Sequence, residues 1–318
     1  MHARHALVVA AAWLVGRAAP AAGESARVRG AVRLGALFAV HGAPMEARAG
    51  AACGMVREHY GIQRVEATLM ALDAINADRR LLPWLRLGAD LRDSCWAAPT
   101  ALRQTIDLVR DAIAPSEALH RQSLISGKTG LCAAVSYSAT ARELSDRARF
   151  STFFRVVPSD KHQARLLVAL LRAHNWTYVH ALHTDESYGQ SGMAAFREEA
   201  ARGGVCVARE VALRAAPSAA AVDAALAQLA RGPQVAVCWC EGRTARALLA
   251  GLARAPRRRL RLVASDGWAD RRDVVEGLEH AALHALTLRI RSPYLDHFDR
   301  YYLALTPHNN SRNPWFQV

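Results

Sequence analysis

The chain has 318 residues, 52% hydrophobic and 22% charged, which excludes a disordered polymer and leaves room for two domains with separate cores. A formal net charge of +13 suggests a polyanionic partner. The basic residues are scattered arginines, however: the only dense run is Arg257-Arg258-Arg259 with Arg261, and no aromatic platform for stacking bases accompanies it. The charge therefore reads as an arginine-rich solvated surface, with no nucleic-acid partner.

In chain order, a short basic start (Met1 to His5) precedes an apolar run, Ala6 to Val15, and a small-residue stretch to Gly23. That order predicts a secretory signal peptide over 1–23, the apolar run being too short to span a bilayer. No later run is long and apolar enough for a membrane helix, so the product as written is expected to be exported and soluble. Arg33 to Val40 reads as a buried strand, and Ile62, Val65, Leu69, Leu72 and Ile75 form one apolar helical stripe. Tyr60 and Arg64 share a face at that helix's start, where the dipole favours an anion; a bound carboxylate or a surface ion pair would each explain the arginine. Leu85, Leu87, Ala89 and Leu91 alternate with Arg86, Gly88, Asp90 and Arg92, which predicts a half-exposed strand running to Cys95-Trp96. Ala101 to Ala114 reads as helix, and Pro115 to Gly130, without a period, as loop.

The stretch from Ser136 to Gly192 carries the candidate chemistry. Apolar runs there end in Ser138 and Thr140, in Ser159-Asp160, and before Ser187-Tyr188-Gly189. Polar residues delivered at strand ends sit where open α/β sheets bind ligands. Hydroxyls suit a carboxylate, and an acid beside a tyrosine face suits an ammonium, so the group fits the head of a free amino acid. Strands at Tyr178–His183, Val205–Arg209, Val235–Cys240 and Leu260–Ala264 then alternate with helices at Gly192–Ala201, Ala219–Ala230 and Arg243–Arg254. This alternation predicts mostly parallel sheets with helices on both faces, in two α/β lobes that close around a ligand. Glu241-Gly242, Asp266 and Arg271 again follow strands.

Export makes the six cysteines disulfide candidates first. Cys53 and Cys95 flank one helix–strand unit and are expected to be joined. Cys238 and Cys240 form a C-x-C in an apolar strand, for which a tight local disulfide is expected; metal binding would need a second ligand pair at the right spacing, and none lies nearby. No metal and no cofactor are expected. Cys132 and Cys206 have no evident partner.

Several blocks in series resemble the extracellular ligand-binding region of metabotropic glutamate receptors, class C G-protein-coupled receptors, and most closely the group I type. They include Tyr60-Gly61-Ile62-Gln63-Arg64-Val65-Glu66-Ala67, Asp93-Ser94-Cys95-Trp96, Tyr137-Ser138-Ala139-Thr140 and Arg155-Val156-Val157-Pro158-Ser159-Asp160. Asn175-Trp176-Thr177-Tyr178-Val179, Cys240-Glu241-Gly242, Ser265-Asp266-Gly267-Trp268-Ala269-Asp270-Arg271 and Arg312-Asn313-Pro314-Trp315-Phe316 complete the series. The resemblance implies an α/β bilobal clamshell, periplasmic-binding-protein-like, with lobe 1 at 30–158, lobe 2 at 159–290 and a return segment at 291–318. It implies L-glutamate as ligand: Tyr60 and Arg64 at the distal carboxylate, Ser138 and Thr140 at the α-carboxylate, Asp160, Tyr188 and Asp266 around the ammonium. Glu241, Gly242 and Arg271 would line the second lobe. It also implies a homodimeric plasma-membrane glycoprotein, facing outward and signalling to a heterotrimeric G protein.

Two departures qualify the resemblance. Between Leu119 and Tyr137 the family has a strand, a glycine- and serine-rich turn and a helix, of which only Ser123 to Ala134 remains here. Asp185-Glu186 replaces the family's Glu-Gly before Tyr188. With the sequence ending at Val318, these features lead to the expectation of a fragment with weak glutamate binding. A free-standing secreted amino-acid-binding protein is the alternative. An enzyme would need Cys240 or Ser138 as nucleophile with His180 or His183 as base, but the histidines sit in an apolar strand, and no hydrolase, P-loop or zinc-protease motif occurs.

Overall fold

The computed structural model describes residues 25–43, 53–113, 134–255 and 260–317. Expectations for the segment up to residue 23, the 115–130 loop, Cys132 and the run Arg257 to Arg259 lie outside the described residues. In chain order the elements are β1 (Ser25–Val28), β2 (Val32–Phe38), α1 (Gln63–Ala77), β3 (Leu87–Asp93) and α2 (Ala98–Ile113). Next come β4 (Ala134–Ser136), β5 (Phe153–Arg155), α3 (Asp160–Ala173), β6 (Tyr178–Thr184), α4 (Ser187–Gly203) and β7 (Cys206–Leu213). The remainder are α5 (Ala219–Gln228), β8 (Val235–Trp239), α6 (Gly242–Arg254), β9 (Arg261–Ala264), α7 (Arg272–Val275), α8 (Glu279–Ala282), β10 (Leu286–Thr287) and α9 (Asp296–Leu303). By their contacts they form two compact units, 1–126 with 293–318, and 127–292. Residues 134–158, expected in the first lobe, group with the second unit. Among the described residues no helix is long and apolar enough to cross a membrane.

The first unit contains a sheet ordered β1-β3-β2, with β2 parallel and β1 antiparallel to β3. Val65, Leu69 and Leu72 of α1 pack with Phe38, Leu91 and Trp315, as the apolar stripe requires. The half-exposed strand expected at Leu85 to Leu91 is instead β3, buried along nearly its whole length. Its alternation is real, but the charged face is covered. Arg92 donates to Asp90 (3.2 and 3.1 Å), to Asp111 (2.6 Å) and to Gln104 (3.5 Å), so α2 lies over a neutralised ion cluster rather than solvent. Cys53 and Cys95 are joined, with their Cα atoms 5.4 Å apart.

The second unit carries a fully parallel sheet ordered β10-β9-β8-β6-β7. Every residue of β8 is buried, because its two faces meet different helices. Val235, Val237 and Trp239 pack with Leu167 and Leu171 of α3 and Phe196 of α4. Ala236 and Cys238 pack with Leu226 of α5 and Leu248 and Leu249 of α6. A near-continuous apolar strand is what a parallel sheet covered on both sides demands. Cys238 and Cys240 are free thiols, so the local bridge expected from the sequence is not formed. Residues two apart in an extended strand share a face with Cα atoms about 6.6 Å apart, at the long end of what disulfides use.

Candidate functional site

Strand order and chain order disagree at one point in the second sheet. From β6 the chain steps out to β7, then returns to the other side of β6 as β8. The helices after β6 and β8 accordingly go to opposite faces: α4 packs in one cluster and α6 in the other. At such a switch point the loops beyond the carboxyl ends of the strands part, and ligands bind there. Tyr188 follows β6, Glu241 and Gly242 follow β8, and Ser265-Asp266 follow the neighbouring β9.

These loops bring an acid–phenol group together. The Tyr188 hydroxyl donates to Asp266 Oδ1 (2.6 Å), lies 2.9 Å from Ser265 Oγ and accepts from the Gly267 N–H (3.0 Å). Gln163 also holds Asp266, its Nε2 donating to the same Oδ1 (2.9 Å) and its Oε1 accepting from the Asp266 N–H (3.1 Å). Burial, reinforced by the Asp266 charge, holds the Tyr188 hydroxyl protonated well above its ordinary range. Two close approaches permit this assembly. A Cβ on Gly192 would stand 2.0 Å from the Trp239 ring, and one on Gly267 would stand 2.4 Å from the Cys240 carbonyl oxygen. The helix expected at Gly192–Ala201 therefore starts at Ser187, pressed onto the strand ends where only glycine fits, and Tyr188 lies in its first turn.

Asp160 opens α3, with Ser159 as the N-cap residue. Its side chain is fully buried, and neither carboxylate oxygen has a hydrogen bond of good geometry among the described residues. Burial pushes its carboxyl up to about 6; the Asp266 charge adds to the rise, while the Thr140 hydroxyl and the Arg155 guanidinium oppose it. The backbone ties it to Thr140, whose carbonyl accepts from the Asp160 N–H at 2.9 Å. Thr140 is buried, whereas Ser138 is exposed at the end of a turn in which Ser136 Oγ accepts from the N–H groups of Ser138 and Ala139.

Glu241 occupies the N-cap position of α6, and Arg271 chelates Asp273 at 3.1 and 2.5 Å. The Arg271 guanidinium lies against Gly242, where an added Cβ would come within 2.3 Å of it. Tyr60 and Arg64 belong to the first unit, with the guanidinium of Arg64 5.3 Å from the Tyr60 ring centre. Of the ten ligand residues expected from the sequence, the structure joins Tyr188 and Asp266 directly and Thr140 to Asp160 through the backbone, lays Arg271 against Gly242 and sets Arg64 near the Tyr60 ring. Gln163 and Ser265 were missed. Gln163 follows Asp160 by three residues at a helix start, a spacing that puts both on one face and could have flagged it.

A model of the receptor family ligand binding region matches residues 63–316. The chain belongs to that family. Receptor ligand-binding regions of this kind have the periplasmic-binding-protein-like bilobal fold and bind small ligands such as amino acids outside the cell. The parallel, doubly covered sheet and the polar groups at its carboxyl edge agree with membership. The enzyme alternative draws no support from its cysteine: Cys240 is buried beside Cys238, and burial pushes its thiol well above the ordinary range, away from the reactive thiolate. His180 is also buried, which lowers its pKa, and His183 is taken up by the Thr184 carbonyl (2.9 Å) and Glu210 (3.2 Å).

Proposed function

We propose that this chain is the extracellular ligand-binding region of a metabotropic-glutamate-type receptor and that its second unit captures the ammonium group of an L-glutamate-like amino acid. The observation that carries this reading is Asp160: a fully buried carboxylate with no hydrogen bond of good geometry among the described residues, its burial only partly offset by the Thr140 hydroxyl and the Arg155 charge, and close enough to Asp266 for their charges to interact. An ionised carboxylate without partners in an apolar setting costs several kcal/mol, roughly, and an arriving cation removes that cost. Asp266, held by Tyr188 and Gln163, supplies a second acceptor. Thr140 and Ser138 would take the α-carboxylate, Glu241, Gly242 and Arg271 the rim, and Tyr60 and Arg64 the distal carboxylate; homodimer formation and G-protein coupling go with the same reading.

The test is a ligand-observed NMR titration of the secreted chain with L-glutamate and with 2-hydroxyglutarate, in which an uncharged hydroxyl replaces the ammonium. Because the serine turn of the family is lacking here, binding in the millimolar range is expected for glutamate. The hydroxy acid should bind at least about tenfold more weakly, as loss of one charge-assisted contact of about 1.5–3 kcal/mol dictates. Equal binding of the two ligands would overturn the ammonium assignment.

A further inference from the structure

The ends of β2 and β3 meet at a cluster that ligand binding does not use. Asp93 Oδ1 accepts from the backbone N–H groups of Val40 (2.9 Å), His41 (3.3 Å) and Cys95 (2.8 Å). With that oxygen fixed, Oδ2 lies 2.5 Å from His41 Nδ1 and 3.5 Å from Cys95 Sγ. Cys95 is bonded to Cys53, and the ligand atoms of His41, Cys53 and Asp93 all lie within 4.8 Å of one another. His41, Asp93 and Cys95 are buried and Cys53 is partly so.

We propose that reduction of the Cys53–Cys95 disulfide converts this cluster into a zinc site, with His41 Nδ1, Asp93 Oδ2 and the two thiolates as ligands. Disulfide and metal would then be alternative cross-links between the segment at Cys53 and the end of β3. The donor set suits zinc: one imidazole, one carboxylate and two thiolates make the four-coordinate, nitrogen- and sulfur-rich environment of structural zinc. Bonds of about 2.0–2.3 Å place tetrahedral ligands about 3–4 Å from each other. Zinc would therefore require the two sulfurs, once reduced, to part to about 3.7 Å and His41 Nδ1 and Asp93 Oδ2 to open from 2.5 Å by just under about 1 Å, while any pair now near 4.8 Å closes by about 1 Å. The carboxylate is already aimed, because three backbone N–H groups hold its other oxygen, the outer support that metal ligands commonly have.

The chemistry balances with a dithiol as reductant. Its thiolate attacks the Cys53–Cys95 bond, the dithiol closes into its own disulfide, and two cysteine thiols are left. Zinc then displaces the two thiol protons, which go to solvent, while His41 binds in its neutral form. In the oxidised protein the same sulfurs are spent in the S–S bond and offer no thiolate.

The test uses the full chain, reduced with a dithiol that is then removed, with zinc added alone. Alkylation of each cysteine is followed by mass spectrometry with and without zinc. Zinc is expected to slow alkylation of Cys53 and Cys95 at least about tenfold and to leave the exposed Cys206 unchanged. The oxidised chain should withhold no zinc from a chromophoric chelator, whereas the reduced chain withholds one equivalent. Cobalt in place of zinc should show the visible absorption of a tetrahedral thiolate site. His41→Ala should lose the protection at least about tenfold. Because the unaltered chain already gives a site-resolved readout, the outcome does not hinge on a variant that fails to fold. Equal alkylation of Cys53 and Cys95 with and without zinc, zinc protection confined to Cys238 and Cys240, or full protection in His41→Ala would each overturn the site.

Discussion

Glu66 in the first unit and Asp160 in the second are both fully buried carboxylates, and they are in opposite states. Glu66 accepts from Asn310 (2.6 Å) and Asn313 (2.5 Å) on one oxygen and from the Tyr301 hydroxyl (2.9 Å) on the other. Asp160 has no such set. A buried charge is tolerated when donors surround it and is otherwise a standing cost. The saturated carboxylate is therefore a structural bolt, fixing residues 301–313 onto α1. The unsaturated one, on the proposed reading, is left for the ligand's ammonium. Burial, not residue type, is common to both; donor supply separates a cross-link from a binding site.

The largest effect should come from breaking the saturated side of this comparison. Glu66→Ala strands two amide donors and a phenol, each worth about 1–3 kcal/mol when left buried and unpaired. We predict a loss of about 3–5 kcal/mol in the first unit's urea-unfolding transition. An unmoved midpoint would show that Asn310, Asn313 and Tyr301 find water instead.

Asp160→Asn should have the opposite sign. The folded carboxyl titrates at about 6 against an ordinary 3.8, so in the folded state the ionised form is the disfavoured one. The resulting cost is absent below about pH 4, grows as pH rises and is complete above about pH 6. The substitution should therefore stabilise the second unit at pH 7 by up to about 3 kcal/mol and do little at pH 4. Thermal unfolding at the two pH values checks this; a destabilised variant at pH 7 would mean that Asp160 is already paired.

Smaller losses sharpen the comparison. Tyr188→Phe removes a donor to Asp266 and an acceptor for Gly267, and should cost about 1–2 kcal/mol in the same transition. Least of all, Arg312→Ala breaks a bidentate pair with Asp73, but both side chains are about half exposed (43% and 52%). That loss should stay below about 1 kcal/mol and shrink with added salt.

Much of this was legible in the sequence, for reasons that can be named. The stripe of α1 comes from burial on one face and the apolar runs of β6 and β8 from burial on both, and Asp160, Tyr188 and Asp266 could be marked because strand and helix ends are where polar residues are delivered. The Cys53–Cys95 bridge followed from export and spacing. What failed depended on neighbours far away in sequence. The charged face of β3 read as solvent-exposed because the cover that α2 provides, through Gln104 and Asp111, has no local signature. The start of α4 was missed because Gly189 and Gly192 weaken helical propensity locally, while the fit against Thr184 and Trp239 overrides it. Cys238 and Cys240 suggested a bridge by proximity in sequence, but the strand extends them along one buried face. That Glu66 is saturated and Asp160 is not could not be read from either segment alone, since the donors to Glu66 lie more than two hundred residues away.

On the proposed reading, the buried Asp160 carboxylate has only the Thr140 hydroxyl and the Arg155 charge to offset its burial until an ammonium arrives. Carboxyl-carbon NMR of the second unit within the whole chain, titrated in pH with and without L-glutamate, tests it directly. A titration near 6 is expected for Asp160 in the free protein, with a clear downward displacement when the amino acid is bound, because the cation favours the ionised form. A free-protein titration in the ordinary carboxylate range, or one that glutamate at saturating concentration leaves unmoved, would contradict it.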